Sequence, residues 1–148
     1  MNNNKTTLEK QDVAKRSIID VLHRYCRAVD IYDTDTFAAL WADDAYVDFG
    51  ERYRGNPDGF LAMLGRDRNR TVSMAHQMEE IVIDVSHDCT SANSNSIVRA
   101  AVIRSSDYGL QRRLLRGHYN DRLVLSEGLW LVQQRVYRPI EETLSATH

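Results

Sequence analysis

The stretch TVSMAHQMEEIVIDV, residues 71–85, marks the point where the pattern of the chain changes from helical to extended. Every second residue in its first half is apolar or histidine, and after a shift of one residue the alternation resumes with isoleucine and valine. The alternating positions are Val72, Met74, His76 and Met78, then Ile81, Ile83 and Val85. A period of two is typical of a strand with one buried face. We therefore predict a long strand here.

Further strands are predicted on both sides of this stretch. The pattern indicates strands at residues 45–49, 96–104, 114–125 and 129–137, with 52–54 as a hairpin partner of the first. The last two long strands are joined by Ser126-Glu127-Gly128, a turn in which glycine supplies the positive φ that such hairpins need. Short turns between long strands favour an antiparallel sheet.

The first part of the chain has helical periodicity instead. Apolar residues recur at intervals of three and four through residues 12–29, which predicts a long amphipathic helix. A second helix fits residues 34–41 with Asp33 or Thr34 as N-cap, and a third follows Asn56-Pro57-Asp58.

This order of elements predicts an α+β fold. Helices followed by consecutive strands argue for N-terminal helices packed on an antiparallel sheet. A chain of 148 residues has the usual size of one domain, which we place at residues 8–140 with flexible ends at 1–7 and 141–148.

Composition excludes several classes of function. The net charge of −2 includes no basic block, which argues against nucleic acid as a partner. No apolar segment could serve as a signal peptide or membrane span, so the cytoplasm is the default location. Compact metal-binding spacings, a glycine-rich phosphate loop and a serine nucleophile elbow are absent, and we therefore expect neither metal nor cofactor.

Several motifs carry a resemblance to a known family. They are IDVLHRYCRAVD at residues 19–30, LWADDA at 40–45, Gly55, the strand with His76, GHYND at 117–121, and the segment from Trp130 to Arg135. Together they resemble the SnoaL-like branch of the NTF2-like superfamily, over residues 17–139. Within that branch the pattern is most similar to scytalone dehydratase, bile-acid 7α-dehydratase and hexachlorocyclohexane dehydrochlorinase.

The resemblance implies a cone-shaped α+β barrel, in which the N-terminal helices pack in a curved antiparallel sheet. It also implies a cofactor-free lyase with a hydrophobic pocket and a His/Asp pair. Matched residue by residue, the catalytic group is His76, Asp30, Tyr25 and Arg135. We expect Trp41, Tyr46, Met74 and Tyr119 to line the substrate pocket. Relatives often carry asparagine where this chain has Glu79 and Glu80, and either glutamate could line the pocket.

The residue types suit an elimination reaction. An imidazole is a good general base near neutral pH, and an adjacent carboxylate fixes its tautomer and stabilises the imidazolium. Tyr25 could donate to a carbonyl or a departing hydroxyl, and Arg135 could stabilise negative charge. His76 lies on an apolar strand face, where a core role is the simpler reading. Asp30 lies at a helix C-terminus, where the macrodipole disfavours a carboxylate unless it has a specific partner.

Three functions remain open from the sequence. The first is a dehydratase-like lyase acting on a hydrophobic polycyclic, polyketide or steroid-like molecule. The second is a ketosteroid-isomerase-like isomerase in which an aspartate alone is the base. The third is a non-catalytic ligand-binding module, or an assembly protein like the small subunit of ring-hydroxylating dioxygenases.

An assembly is also expected. Apolar residues at alternate strand positions suggest a second apolar face on the sheet, away from the helices. These positions are Val98, Ala100, Val102, Val124, Trp130 and Val132. Such a face would be covered by another subunit, and the resemblance favours a homotrimer over a homodimer.

Overall fold

The computed structural model describes residues 3–147 and contains three α-helices and six strands in that range. The helices are α1 (Asn3–Ile31), α2 (Thr34–Ala38) and α3 (Pro57–Arg66). The strands are β1 (Trp41–Asp48), β2 (Arg54–Gly55), β3 (Thr71–Val85), β4 (Ser91–Ser106), β5 (Gly109–Ser126) and β6 (Leu129–Thr147). The helices pack against one curved, unclosed sheet, so the predicted α+β class is confirmed.

The sheet is not antiparallel throughout. Its strand order is β2-β1-β6-β5-β4-β3, and β1 pairs with β6 in parallel, with Val47 opposite Arg135. The sequence predicted antiparallel pairing because β3 to β6 follow one another through short turns. β1 adds to the free edge of β6, and its start lies beside the start of that strand, where the Val132 amide donates to the Leu40 carbonyl at 2.9 Å. The two strands consequently run in the same direction.

The shift in alternation along β3 has a structural counterpart. The β3–β4 register is irregular between Glu79 and Val82, and Glu80 has a φ of 49°. An extra residue in one strand changes which side chains face the core beyond it. Met78 and Ile83 are therefore both buried, although they are five positions apart.

Helix α1 supplies most of the core contacts to the sheet. Its buried side is formed by Ala14, Ile18, Val21, Leu22, Tyr25, Cys26, Ala28 and Val29. Val13 is an apolar residue of the predicted amphipathic helix, but its side chain is 54% exposed. The opposite side of α1 is polar, and within residues 3–147 no helix is both long and apolar enough to cross a membrane.

Regular structure extends through most of both predicted flexible ends. Helix α1 begins at Asn3, and β6 continues to Thr147, which pairs with Leu110 of β5. Residues 1, 2 and 148 lie outside the described range. The extension of β6 depends on backbone pairing with β5, and its side chains from Ile140 to Ala146 are largely exposed. Such a segment has no apolar alternation that sequence reasoning could detect.

Most of the residues assigned to an outer apolar face are in the core. His76 contacts α1, and its cross-strand partner is Ala100, so alternation places Val98 and Val102 on the same inward face. Val98, Ala100, Val102, Trp130 and Val132 are all buried. Val124 alternates with the fully buried Leu123 and is the one member of the set that faces away. These residues therefore do not form an outer apolar face that requires a partner subunit. The homotrimer stays a prediction, which light scattering can test.

Candidate active site

The side chains of Asp30 and His76 meet between helix and sheet. His76 Nδ1 lies 2.6 Å from Asp30 Oδ1, and the backbone N–H of His76 donates to Asp30 Oδ2 at 2.9 Å. The His76 and Asp30 side chains are 12% and 19% exposed. Since a carboxylate can only accept, Nδ1 carries the proton in the neutral ring and Nε2 keeps a free lone pair. The contact predicted from the sequence is present.

The C-terminus of α1 is built to hold Asp30 in place. Tyr32 has a φ of 55°, and the amides of Tyr32 and Asp33 return to the carbonyls of Val29 and Ala28 at 3.3 and 2.8 Å. This is the Schellman arrangement, here without glycine. Arg68 donates to the Asp30 carbonyl at 2.9 Å, so its cation partly offsets the negative end of the helix. The C-terminal position of the carboxylate is thereby stabilised.

A small cavity adjoins His76. It has a volume of about 50 Å³ and lies between the inner face of β3, β4 and β5 on one side and α1 and α3 on the other. Its apolar wall includes Val29, Phe60, Met74 and Leu115. Pockets for drug-sized ligands are usually about 300–1,000 Å³, so this cavity is narrow as it stands.

Two tyrosines of the cavity wall belong to an aromatic cluster. The rings of Tyr25 and Tyr119 are 6.1 Å apart and nearly perpendicular, and both side chains line the cavity. Burial raises the pKa of each hydroxyl, and the charge of Arg135 only partly offsets that effect. Both phenols are consequently neutral near pH 7 and can donate hydrogen bonds.

The structure places Arg135 in the core and not at the cavity wall. Its guanidinium donates from Nε and Nη2 to both carboxylate oxygens of Asp121 at 2.8 Å, and both side chains have 0% exposure. It lies 4.2 and 3.8 Å from the ring centroids of Tyr25 and Tyr119. Burial alone would lower the pKa of Arg135, but Asp121 raises it. Arg135 therefore supports the two tyrosines, and does not reach a ligand as the sequence suggested.

Two of the four expected pocket residues are elsewhere. Met74 and Tyr119 line the cavity, whereas Trp41 packs against Tyr25 and Phe37 in the core behind it. Tyr46 is 42% exposed because it alternates with the buried Ala45 and Val47 and so faces away from the helices.

Neither glutamate in question lines the cavity. Glu79 forms an ion pair with Arg99 at 2.9 Å, and Glu80 is exposed at the irregular position of β3. The carboxylates that replace the family's asparagine are consequently on the outside of the sheet. Among residues 3–147, no three histidine, cysteine or acidic side chains converge to form a metal site.

Sequence reasoning missed three arginines of the cavity. Arg52 precedes β2, Arg104 is on β4 and Arg113 is on β5, and all three line the cavity that His76 adjoins. A signal was available for one of them, because Arg104 continues the inward alternation of Val98, Ala100 and Val102. Arg52 reaches the site through the turn between β1 and β2, which the sequence pattern does not place.

Gly117 lies directly against Tyr137, whose side chain lines the cavity. A Cβ at this position would collide with the Tyr137 ring and would lie 2.8 Å from the Arg138 carbonyl. We expect Gly117→Ala to cost about 1–3 kcal/mol of stability through overpacking. Urea unfolding measures the loss. Tyr137→Leu in the same background should recover part of it, and a fully additive double variant would contradict the predicted clash.

Similarity to known proteins extends over most of the chain. The model of the SnoaL-like domain family matches residues 13–136. A protein of Novosphingobium aromaticivorans provisionally named scytalone dehydratase superposes with a TM-score of 0.83 at 24% identity, covering 95% of this chain and 93% of that one. A type 2 hexachlorocyclohexane dehydrochlorinase superposes with a TM-score of 0.79 at 19% identity, covering 94% and 93%.

A third solved structure extends the same pattern. The type 3 LinA dehydrochlorinase of Novosphingobium barchaimii gives a TM-score of 0.75 at 21% identity, with 94% of each chain covered. A comparison with curated protein sequences gives no significant match. At these identities the solved structures show a shared fold, and function has to be argued from the site.

Proposed function

Because the chain belongs to the SnoaL-like domain family, we propose that it is a cofactor-independent lyase that carries out a dehydratase-like elimination on a hydrophobic small molecule. The observation that carries the proposal is the Asp30–His76 pair at the wall of a mostly apolar cavity. Two solved structures with this fold are named as a dehydratase and a dehydrochlorinase, and both names denote eliminations.

The pair is suited to removing a proton from carbon. Nε2 of His76 would accept the proton while Asp30, bound at Nδ1, stabilises the imidazolium that forms. The electrons of the C–H bond become the new double bond, and the bond from the neighbouring carbon to its hydroxyl breaks. The imidazolium then returns its proton to the departing hydroxide, which leaves as water, so the atoms balance without a co-reactant.

Tyr25 and Tyr119 are assigned to the leaving group or to an adjacent carbonyl. Their neutral phenols line the cavity with His76 and can donate a hydrogen bond as negative charge develops. We expect Tyr25→Phe and Tyr119→Phe each to reduce kcat by about 10–100-fold, less than loss of the base, because one hydrogen bond is removed. Steady-state kinetics measure this. An increase in KM with kcat unchanged would contradict a role in the transition state.

Cavity size bears on the substrate. A volume of about 50 Å³ accommodates part of a small ring and not a steroid or polyketide skeleton. A polycyclic substrate therefore requires the wall formed by Phe60 and Leu64 of α3 to move away from the sheet. A single ring already exceeds this volume and requires a smaller displacement of the same wall, so among hydrophobic molecules we propose compounds of one or two rings as the first to test.

The isomerase alternative is weakened by the surroundings of Asp30. Its two carboxylate oxygens each accept a hydrogen bond from His76, one from the ring and one from the backbone. A carboxylate held in this way orients its partner and is not free to approach a substrate carbon as sole base. A binding module without catalysis needs neither the short contact nor the free Nε2.

The experiment is a screen for elimination products. Hydroxylated and halogenated compounds of one or two rings are incubated with the protein, and loss of water or hydrogen halide is followed by mass spectrometry. His76→Ala provides the background. Products formed by the wild type alone support the lyase, whereas tight binding without products from any compound that occupies the cavity would favour a binding module.

A further inference from the structure

Three arginines converge on the cavity that also contains His76. Arg104 and Arg113 are diagonal neighbours on the inward face of β4 and β5, because Arg113 pairs with Val102 and Arg104 pairs with Gln111. Diagonal positions of this kind are about 7–8 Å apart, within reach of each other for long side chains. Arg52 joins them from the turn before β2.

We propose that these arginines bind an oxyanionic substituent of the substrate, a carboxylate or a phosphate, and so orient its apolar part toward His76. This inference rests on the proposed function and names the class of its substrate as hydrophobic molecules that carry an acid group. Guanidinium groups suit both oxyanions because their planar fork of donors matches two oxygen atoms at once.

The charge balance of the cluster favours an anionic ligand. The carboxylate of Glu142 accepts from Arg113 Nη2 at 3.1 Å and from the Tyr137 hydroxyl at 3.3 Å. Among the described side chains, Arg52 and Arg104 have no acidic hydrogen-bond partner, and Nε of Arg104 is buried with no acceptor. Three cations and one carboxylate leave two positive charges, in a chain whose overall charge is −2.

The clustered positive charge is destabilising in the protein alone. Although Arg52 keeps exposed surface at the cavity mouth, partial desolvation lowers the pKa of its guanidinium. The charges of Arg113 and Arg104 lower this pKa further, and Glu142 and Tyr137 offset only part of the effect. Like charges held together are destabilising, and a ligand that neutralises them recovers that energy. Elsewhere in the molecule, exposed arginines such as Arg54, Arg99 and Arg138 pair with carboxylates.

The arrangement also gives the cavity two chemically distinct walls. One is apolar, with Val29, Phe60 and Leu64, and the other carries the three guanidinium groups. A ligand with an apolar ring and an acid group satisfies both at once. The acid group would then be fixed away from the dyad, which leaves the ring carbons to face Nε2 of His76.

Binding of matched probes tests the proposal without requiring turnover. Benzoate, benzamide and phenyl phosphate share one ring and differ in charge, and calorimetry gives the Kd of each. We expect the wild type to bind benzoate at least 10-fold more tightly than benzamide, which corresponds to about 1.4 kcal/mol. Between benzoate and phenyl phosphate, the tighter ligand identifies which oxyanion the site prefers.

The arginine variants supply the matched comparison. Arg104→Gln and Arg52→Gln should each reduce the preference for benzoate over benzamide to less than threefold. Arg112→Gln should leave it unchanged, because Arg112 adjoins Arg113 on β5 but is exposed on the opposite face. Since Arg52 is at the mouth and exposed, its variant stays folded even if Arg104→Gln does not.

The outcomes for the two proposals can be separated. Equal affinity of the wild type for benzoate and benzamide overturns the anion site, whether or not the protein is a lyase. The same holds if Arg112→Gln reduces the preference for benzoate as much as Arg104→Gln and Arg52→Gln do. His76→Ala should keep the preference for benzoate over benzamide. If that preference is lost in His76→Ala but retained in the arginine variants, the anion binds at His76 and the arginine site is rejected. If the preference for benzoate over benzamide is retained but no elimination product forms in the screen, the anion site is supported and the lyase is rejected.

Discussion

Replacing His76 by alanine is expected to reduce turnover by about 10²–10⁴-fold, the usual contribution of a general base. The imidazole is the one group of the cavity with a free lone pair oriented by a carboxylate, because Asp30 accepts from Nδ1 at 2.6 Å. Binding of benzoate should change little, since the apolar wall and the arginines remain. The measurement is kcat for a substrate found in the screen, with Kd and thermal unfolding determined on the same preparation.

Companion variants distinguish a catalytic pair from a structural contact. Asp30→Asn keeps the shape but lets its amide favour the wrong tautomer of His76, so kcat should also decrease by orders of magnitude. The double variant should be little slower than either single one, because the two residues act as a unit. His118→Ala is the control, as His118 is exposed on the opposite face of β5. Wild-type kcat in His76→Ala would reject the assignment, and an unfolded His76→Ala would indicate a core residue.

Replacing Asp121 by alanine is expected to destabilise the fold by about 3–5 kcal/mol. Asp121 and Arg135 are fully buried and joined by two hydrogen bonds of 2.8 Å, so removal of the carboxylate leaves a buried guanidinium without its counter-ion. The rings of Tyr25 and Tyr119, at 4.2 and 3.8 Å, only partly replace that interaction. Equilibrium unfolding in urea at neutral pH gives the change directly.

An exposed ion pair on α1 provides the matched control for Asp121→Ala. Arg24 and Asp20 are separated by one turn of helix, with a contact of 2.8 Å and side chains that are 50% and 64% exposed. Arg24→Ala should cost no more than about 0.5 kcal/mol, because water solvates both charges in the folded and unfolded chain. Similar losses in the two variants would show that burial of the Asp121–Arg135 pair has little energetic consequence.

The sequence predicted the Asp30–His76 pair, mainly through the resemblance to the SnoaL-like family, but did not predict the three arginines of the cavity. Asp30 and His76 break local patterns, as a carboxylate at a helix C-terminus and a histidine among alternating apolar residues, and such departures can be read from the chain. Arg52 and Arg113 break no pattern, since arginine is ordinary in turns and on strands, and Arg104 is distinguished only by continuing the inward alternation of β4. Only the packing of three separate elements around one cavity makes them neighbours.

Local patterns in the sequence by themselves determined the class of the fold. Period-two alternation predicted β3, including the shift that becomes its irregular register, and the N-cap residues predicted the starts of α2 and α3. The turn at Glu127-Gly128, with φ values of 50° and 80°, follows from glycine's tolerance of that region. Each of these features depends on interactions between residues close in the chain.

Tertiary structure alone decided which face of each strand is inward and which polar groups reach the cavity. Val98, Ala100 and Val102 alternate equally well for either face, and the pairing of Ala100 with His76 settles the choice. Arg135 was predicted to contact the ligand, but its Nε and Nη2 donate to the carboxylate of Asp121, 14 positions away. Alternation has the same period on both faces of a sheet, and long-range pairing leaves no local trace, so neither result can be obtained from the order of residues alone.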